Sequence, residues 1–195
     1  MGYELILDTS SKQLAIGIYK DDQLLYKNQY YAWLRQSEMA IPEIEKAMKE
    51  LNLDLREVTR IVASIGPGSY TGVRIALTIA KVMALTLNIP LYTVSSLQAL
   101  AGKKEKTISI MDARSKRVYI GVYDKGETIL KDTIFTIEEL KKYQEEHLDY
   151  QTIGELSALG EEDSVITLIE NMHELAKDAT PVNSVHEVKP VYLKD

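Results

Sequence analysis

The sequence predicts an α/β protein made of two copies of one βββαβα lobe, the second abbreviated. Three observations carry this. The chain resembles itself: laying residues 6–19 on residues 110–123 matches Ile6 with Ile110, Asp8 with Asp112, Ser11 with Ser115, Lys12 with Lys116, Ile16 with Ile120, Gly17 with Gly121 and Tyr19 with Tyr123. Other aligned positions, such as Leu14 with Val118, are apolar swaps that keep the same strand face buried. Each copy opens on three short strand-like segments and continues into a helical pattern. Finally, 195 residues with 45% hydrophobic content suffice to enclose a core, burying roughly 70% of the unfolded chain's surface.

In the first copy, residues 4–9, 14–20 and 23–30 read as a meander, with Leu14, Ile16 and Ile18 on one face of the second strand. A helix follows, with Ile44, Ala47, Met48 and Leu51 at i, i+3, i+4 and i+7 and Glu43, Glu45, Lys46 and Lys49 around the rest. Pro42 is expected in or near its first turn, because deeper inside it would remove a backbone hydrogen bond. Residues 60–65 form a branched apolar run suited to a strand buried on both faces. After a glycine-rich turn come a helix over 70–88 that stops before Pro90, a short strand at 91–94 and a helix at 95–101. The second copy repeats three strands at 107–112, 117–124 and 128–135, a helix at 137–146 and a fourth strand at 149–153. Beyond these, residues 172–177 are the clearest helix, and the tail over 185–195 reads as extended. The lobes are expected to be residues 1–102 and 103–195.

A formal net charge of −6 argues against a protein that grips nucleic acid unaided. Cysteine is absent, which removes disulfides and thiolate metal sites and fits a reducing compartment. The opening Met1-Gly2-Tyr3-Glu4 runs directly into a strand without the features of a signal peptide, so a cytoplasmic location is expected. The most apolar run, 73–87, contains Arg74 and Lys81 and falls short of the roughly 20 residues a membrane crossing needs. It reads as a buried helix with apolar groups nearly all round, whose far side must be covered by the rest of the chain or by another subunit.

Two such lobes suggest the actin-like (ASKHA, ribonuclease H-like) architecture of actin, Hsp70 chaperones and sugar kinases, in which the first hairpin of each lobe contacts phosphates. Asp8 and Asp112 stand where those proteins place a metal-holding aspartate, and are candidates for vestigial nucleotide sites. Residues 8–12 and 112–116 nevertheless contain no glycine to let backbone N–H groups close on phosphate, and turn-stabilising bonds are the expected role of both carboxylates. The pair leaves open an alternative reading as an ATP-dependent small-molecule phosphotransferase. The segment Gly66-Pro67-Gly68-Ser69-Tyr70-Thr71-Gly72-Val73-Arg74 joins a strand to a helix where an anion is favoured, but it lacks the Gly-Lys-Ser/Thr ending of a P-loop. Its plainer role is a sharp turn capped by Ser69 or Thr71. His147, His173 and His186 are scattered and read as surface or capping residues, and no metal site is expected. Lys103, Lys104, Lys106, Arg114, Lys116 and Arg117 form a basic cluster that reads as a solvated loop or, alternatively, a phosphate-backbone contact.

The glycine segment with its continuation Ile75-Ala76-Leu77, together with Leu5-Ile6-Leu7-Asp8-Thr9-Ser10, Ser95-Ser96-Leu97-Gln98-Ala99-Leu100, Asp112-Ala113-Arg114 and Pro190-Val191-Tyr192-Leu193, resembles the bacterial TsaB (YeaZ) family over nearly the whole chain. The resemblance implies a non-catalytic scaffold in the complex that places threonylcarbamoyl on N6 of the adenosine beside the tRNA anticodon. It implies a TsaD-like catalytic partner, a TsaE-like ATPase, tRNA reached through the complex, and a homodimer when isolated. ATP and metal would belong to the partners, with no cofactor of the chain's own. The paired metal-binding histidines of TsaD-like proteins are replaced here by Ser37, Glu38 and Ile41, so the resemblance does not imply peptidase activity. Carried onto this chain, the partner surface would use Ile41, Ile44 and Met48 with Val73, Leu77, Ala80 and Ala84.

Overall fold

The computed structural model describes residues 2–193. Strands β1 (Tyr3–Asp8), β2 (Gln13–Lys20) and β3 (Gln23–Tyr31) form an antiparallel meander, followed by α1 (Gln36–Glu50), β4 (Val58–Ser64), α2 (Tyr70–Leu87), β5 (Leu91–Val94) and α3 (Ser96–Ala101). β4 runs parallel to β1 and β5 parallel to β4, so the first sheet has the order β3-β2-β1-β4-β5. The second copy supplies β6 (Thr107–Asp112), β7 (Arg117–Asp124), β8 (Glu127–Thr136), α4 (Ile137–Glu146) and β9 (Gln151–Gly154), in the order β8-β7-β6-β9. It is shorter by one strand, and α5 (Leu168–Asp178) closes it. Local chemistry sets the boundaries. Ser69 and Ser95 cap the starts of α2 and α3, Thr136 and Glu139 make a reciprocal capping box on α4, and Asn88 ends α2 in the left-handed conformation before Pro90.

Side-chain alternation divides the interior into three cores. Leu5, Leu7, Leu14, Ile16 and Ile18 point to the outer face of the first sheet and meet Ala40, Ile44, Ala47 and Met48 of α1 and Ala76, Leu77, Ala80 and Ala84 of α2. Ile108, Ile110, Val118, Ile120 and Val122 meet Leu140 of α4 on the outer face of the second. Between the sheets, Ile6, Ala15, Tyr19 and Val62 face Met111, Ala113, Tyr119 and Tyr123, with Leu97 and Leu100 of α3 and Ile169, Met172 and Leu175 of α5 filling the space. The filling is crossed: α3 packs on β6, β7 and β9, whereas α5 packs on β1 to β5. The sheets fall either side of residues 102 and 103, but the helices between them do not segregate that way.

Four expectations are corrected. Pro42 lies well inside α1, which already begins at Gln36. Gln36 donates to the Ser11 carbonyl at 3.0 Å, anchoring that early start, and Pro42 and Glu38 are exposed, so the carbonyl that proline leaves bare can face water. His173 is not a surface residue: it is 2% exposed, bonded through Nδ1 to Glu4 at 2.6 Å and stacked on Tyr19, with Glu4 also paired to Arg60. The run over α2 is long and apolar enough to cross a membrane by composition alone, yet it packs on β1, β4 and β5. Part of its excess apolar surface is covered by the chain's own tail: Val182, Val185 and Val188 lie against the outer core, and Lys81 Nζ donates to the carbonyls of His186 and Val188 at 3.0 and 2.8 Å. Finally, the basic cluster is divided. Lys103, Lys104 and Lys106 precede β6 and Arg114, Lys116 and Arg117 follow it, separated by the strand's length, about 20 Å.

Candidate functional site

Where the two sheets meet, their hairpin turns and the glycine segment enclose a cleft of about 530 Å³. Ser10, Ser11 and Lys12 come from the first turn, Gly68, Ser69, Tyr70 and Thr71 from the glycine segment, and Met111, Asp112 and Arg114 from the second turn. Trp33, Tyr119, Glu155 and Tyr192 complete the wall. Sequence reasoning missed these last four. Only Tyr192 carried a signal, as part of the family-like closing segment.

The two aspartates are not equivalent. In the first hairpin Leu7 pairs with Ile16 and Asp8 with Ala15. In the second, Ile110 pairs with Ile120 and Asp112 with Val118. β7 matches β2 at the offset read from the sequence, but β6 is slipped by one residue against β1, so Met111 takes the place of Asp8. The slip follows from a turn shorter by one residue, in which Arg114, Ser115 and Lys116 all adopt positive φ. A slip of one residue exchanges the faces. Asp8 is therefore 1% exposed, accepting hydrogen bonds at Oδ1 from Ser64 Oγ and from the Ser10 N–H, and burial pushes its pKa up. Asp112 is exposed and accepts from the Arg114 N–H at 2.7 Å, the turn-stabilising role expected of it. Asp8 does not line the cleft, and the phosphotransferase reading loses its paired carboxylates.

The glycine segment is consumed by close backbone contact. Gly68, at φ 157°, would bring a Cβ to 2.3 Å from the Ser10 carbonyl, and a Cβ on Gly72 would reach 2.0 Å from that of Thr9. The Thr9 hydroxyl enters the first turn of α2, donating to the Gly72 carbonyl at 2.6 Å and accepting from the Ala76 N–H at 3.1 Å. Ser69 N–H is spent on the Ser10 carbonyl, and Gly72 N–H on the Ser69 hydroxyl. These donors of the expected anion site are already satisfied. Gly66 and Pro67 are buried and Arg74 is exposed, its guanidinium bonded to the Tyr70 hydroxyl at 2.8 Å.

On the far side of the first sheet, α1 and α2 present an open groove of about 440 Å³ lined by Ser37, Ile41, Tyr70, Thr71, Arg74, Ile75, Thr78 and Ile79. Of the seven residues carried over as a partner surface, Ile41 alone lines it. Ile44, Met48, Val73, Leu77, Ala80 and Ala84 are buried, and Ile41, 47% exposed, alone faces outward. Helical geometry turns the sheet-facing row inward, leaving Ile41, Ile75, Ile79, Val82 and Leu85 as the outer row. Among the described residues, no group of three or more His, Asp or Glu gathers as a metal site.

Residues 32–183 match the family model described as TsaD, tRNA N6-adenosine threonylcarbamoyltransferase. The chain is similar to the tRNA threonylcarbamoyladenosine biosynthesis protein TsaB of Bacillus subtilis, 35% identical over 134 residues that cover 67% of this chain and 58% of that protein. The same-named protein of Buchnera aphidicola subsp. Schizaphis graminum is 29% identical over 65% of this chain and 62% of its own. The chain thus spans about three-fifths of these relatives' length. Among solved structures, YeaZ from Pseudomonas aeruginosa aligns with a TM-score of 0.81 at 24% identity, covering 99% of this chain and 100% of that one, which establishes the shared two-lobe fold. The chain belongs to the family that the TsaD model describes and stands within it beside the TsaB (YeaZ) proteins.

Proposed function

We propose that the chain works in tRNA threonylcarbamoyladenosine biosynthesis as a non-catalytic scaffold that docks a TsaD-like catalytic subunit through the outer row of α1 and α2. The observation that carries this is the apolar row itself: Ile41 in the groove and Val82 and Leu85 further along α2 are 47, 57 and 44% exposed, although the tail covers another side of α2. Exposed apolar surface of this continuity marks a contact. The names of the B. subtilis and B. aphidicola relatives supply the pathway. The enclosed Asp8 and the engaged Ser69 and Gly72 N–H groups support leaving ATP and metal to TsaD-like and TsaE-like partners, with tRNA reached through the assembly. In isolation the same row pairs two copies of the chain, and the site of action is the cytoplasm.

Sedimentation velocity of the chain alone and mixed with a TsaD-like subunit tests this, together with mass-spectrometric measurement of threonylcarbamoyladenosine in cells depleted of the chain. Ile79→Asp and Val82→Asp are expected to yield a folded monomer that neither docks nor restores the modification. Unchanged association in both variants, or full modification without the chain, would overturn the proposal.

A further inference from the structure

The β6–β7 turn has an unusual construction. Arg114, Ser115 and Lys116 take φ of 62, 54 and 57°, a conformation that L-residues avoid in succession. It is held by Arg114 N–H on Asp112 Oδ1 at 2.7 Å, Arg117 N–H on the Arg114 carbonyl at 3.1 Å and Ile137 N–H on the Lys116 carbonyl at 3.2 Å. Arg114, Lys116 and Arg117 are exposed, and among the described residues no side-chain hydrogen bond or ion pair engages any of the three. At the other end of the strand three lysines are engaged, Lys103 with Asp178 at 2.7 Å, Lys106 with Asp149 at 2.5 Å and Lys125 with Glu105 at 3.1 Å, and Lys104 is exposed. In a chain of net charge −6, this turn is a local concentration of free cations.

Arg114 also lines the cleft, beside Trp33, Tyr70, Tyr119 and Tyr192, while Lys116 and Arg117 stand outside it. Arg114 stands in the wall and Lys116 and Arg117 follow it along the turn, an arrangement that suits successive phosphates of a polymer better than one enclosed phosphate. The carboxylates of the wall are occupied with backbone: Asp112 with Arg114 N–H, and Glu155, whose pKa burial pushes up, with Asp112 N–H at 2.8 Å. Basic rim and aromatic wall together are the elements of a single-strand nucleic-acid site. We propose that this turn and the cleft wall bind single-stranded RNA, phosphates on Arg114, Lys116 and Arg117 and an unstacked base against Trp33. The choice of RNA rests on the tRNA pathway proposed above.

Trp33 is the chain's only tryptophan, so its fluorescence reports on the wall directly. The full chain at low salt is titrated with an unmodified anticodon stem-loop RNA and, separately, with inorganic polyphosphate. RNA is expected to bind and quench Trp33, whereas polyphosphate competes without quenching. Arg114→Asn with Lys116→Asn removes two charges while keeping residues that tolerate positive φ. It should weaken RNA binding roughly tenfold or more and reduce the slope of log K against log salt by about 1.4. Arg117→Gln, outside the left-handed stretch, should act in the same direction, and Lys104→Asn with Lys106→Asn should change nothing. Unaltered affinity and slope in the turn variants, binding without quenching, or no binding at low salt would each overturn the inference. A chain that docks its partner and sustains modification but ignores RNA sinks this inference alone, whereas one that binds RNA and ignores the partner sinks the scaffold proposal alone.

Discussion

Asp8 has two donors on one carboxylate oxygen and a second oxygen that is buried with no hydrogen-bond partner. Burial raises its pKa from an ordinary 3.8, so the folded chain holds this proton to higher pH than the unfolded chain does. The stability it contributes is complete below the ordinary value and is lost as pH rises through the raised one. Asp8→Asn leaves Oδ1 its donors and puts an uncharged amide nitrogen in place of the unpartnered oxygen. Calorimetry at about pH 5 and about pH 8 is expected to show a smaller drop in melting temperature for the variant than for the parent; an Asn variant that unfolds would mean the ionised form is required. Gly72 gives a prediction of opposite sign to the usual one. In a helix interior Gly→Ala ordinarily gains about 1 kcal/mol, but a Cβ here would stand 2.0 Å from the Thr9 carbonyl. Gly72→Ala should instead lose roughly 1–3 kcal/mol by urea unfolding.

The α2 helix separates what its sequence could reveal from what it could not. Its length and its stop before Pro90 were legible and its cap was narrowed to Ser69 or Thr71, because each is a local backbone requirement. Which face turns inward was not, since apolar residues occupy nearly the whole circumference and periodicity then carries no direction. The covering tail is distant in sequence, so Val185 and Val188 gave no sign of their place. Faces can now be assigned by experiment. Leu77→Asp buries a carboxylate in the outer core and is expected to destabilise the chain by several kcal/mol, whereas Val82→Asp should shift the melting temperature only a few degrees while abolishing pairing. Equal thermal loss in both would place Val82 in the core. The hairpins teach the same lesson about register. Asp8 and Asp112 align by letter, but the number of residues in the turn decides which strand positions face each other, and similarity at a constant offset does not report it. His173 was misread for a related reason: its partners Glu4 and Asp22 lie in the first meander and are invisible to local pattern.

At the scale of the molecule, the lobe order, both meanders and the shortened second sheet were legible, because each strand advertises itself through alternation and each turn through its residues. The crossing of α3 and α5 was not, being a choice between two sheets of similar chemistry. The tail belongs to this scale as well. Removing residues 180–195 uncovers Val182, Val185 and Val188 contacts and the hold of Lys81, and should cost about 2–3 kcal/mol, or roughly 5–10 °C, with increased binding of a hydrophobic dye; an unchanged melting curve would refute a structural role for the strap. The exchange of helices has a mechanical consequence. A jaw opens along a seam that few side chains cross, but here each β-layer is roofed by a helix delivered from the opposite half, as though two hands had interlaced their fingers. Spreading the halves would unpack these apolar contacts on both sides at once, which opposes widening of the notch between them and favours an occupant that fits a shape already made.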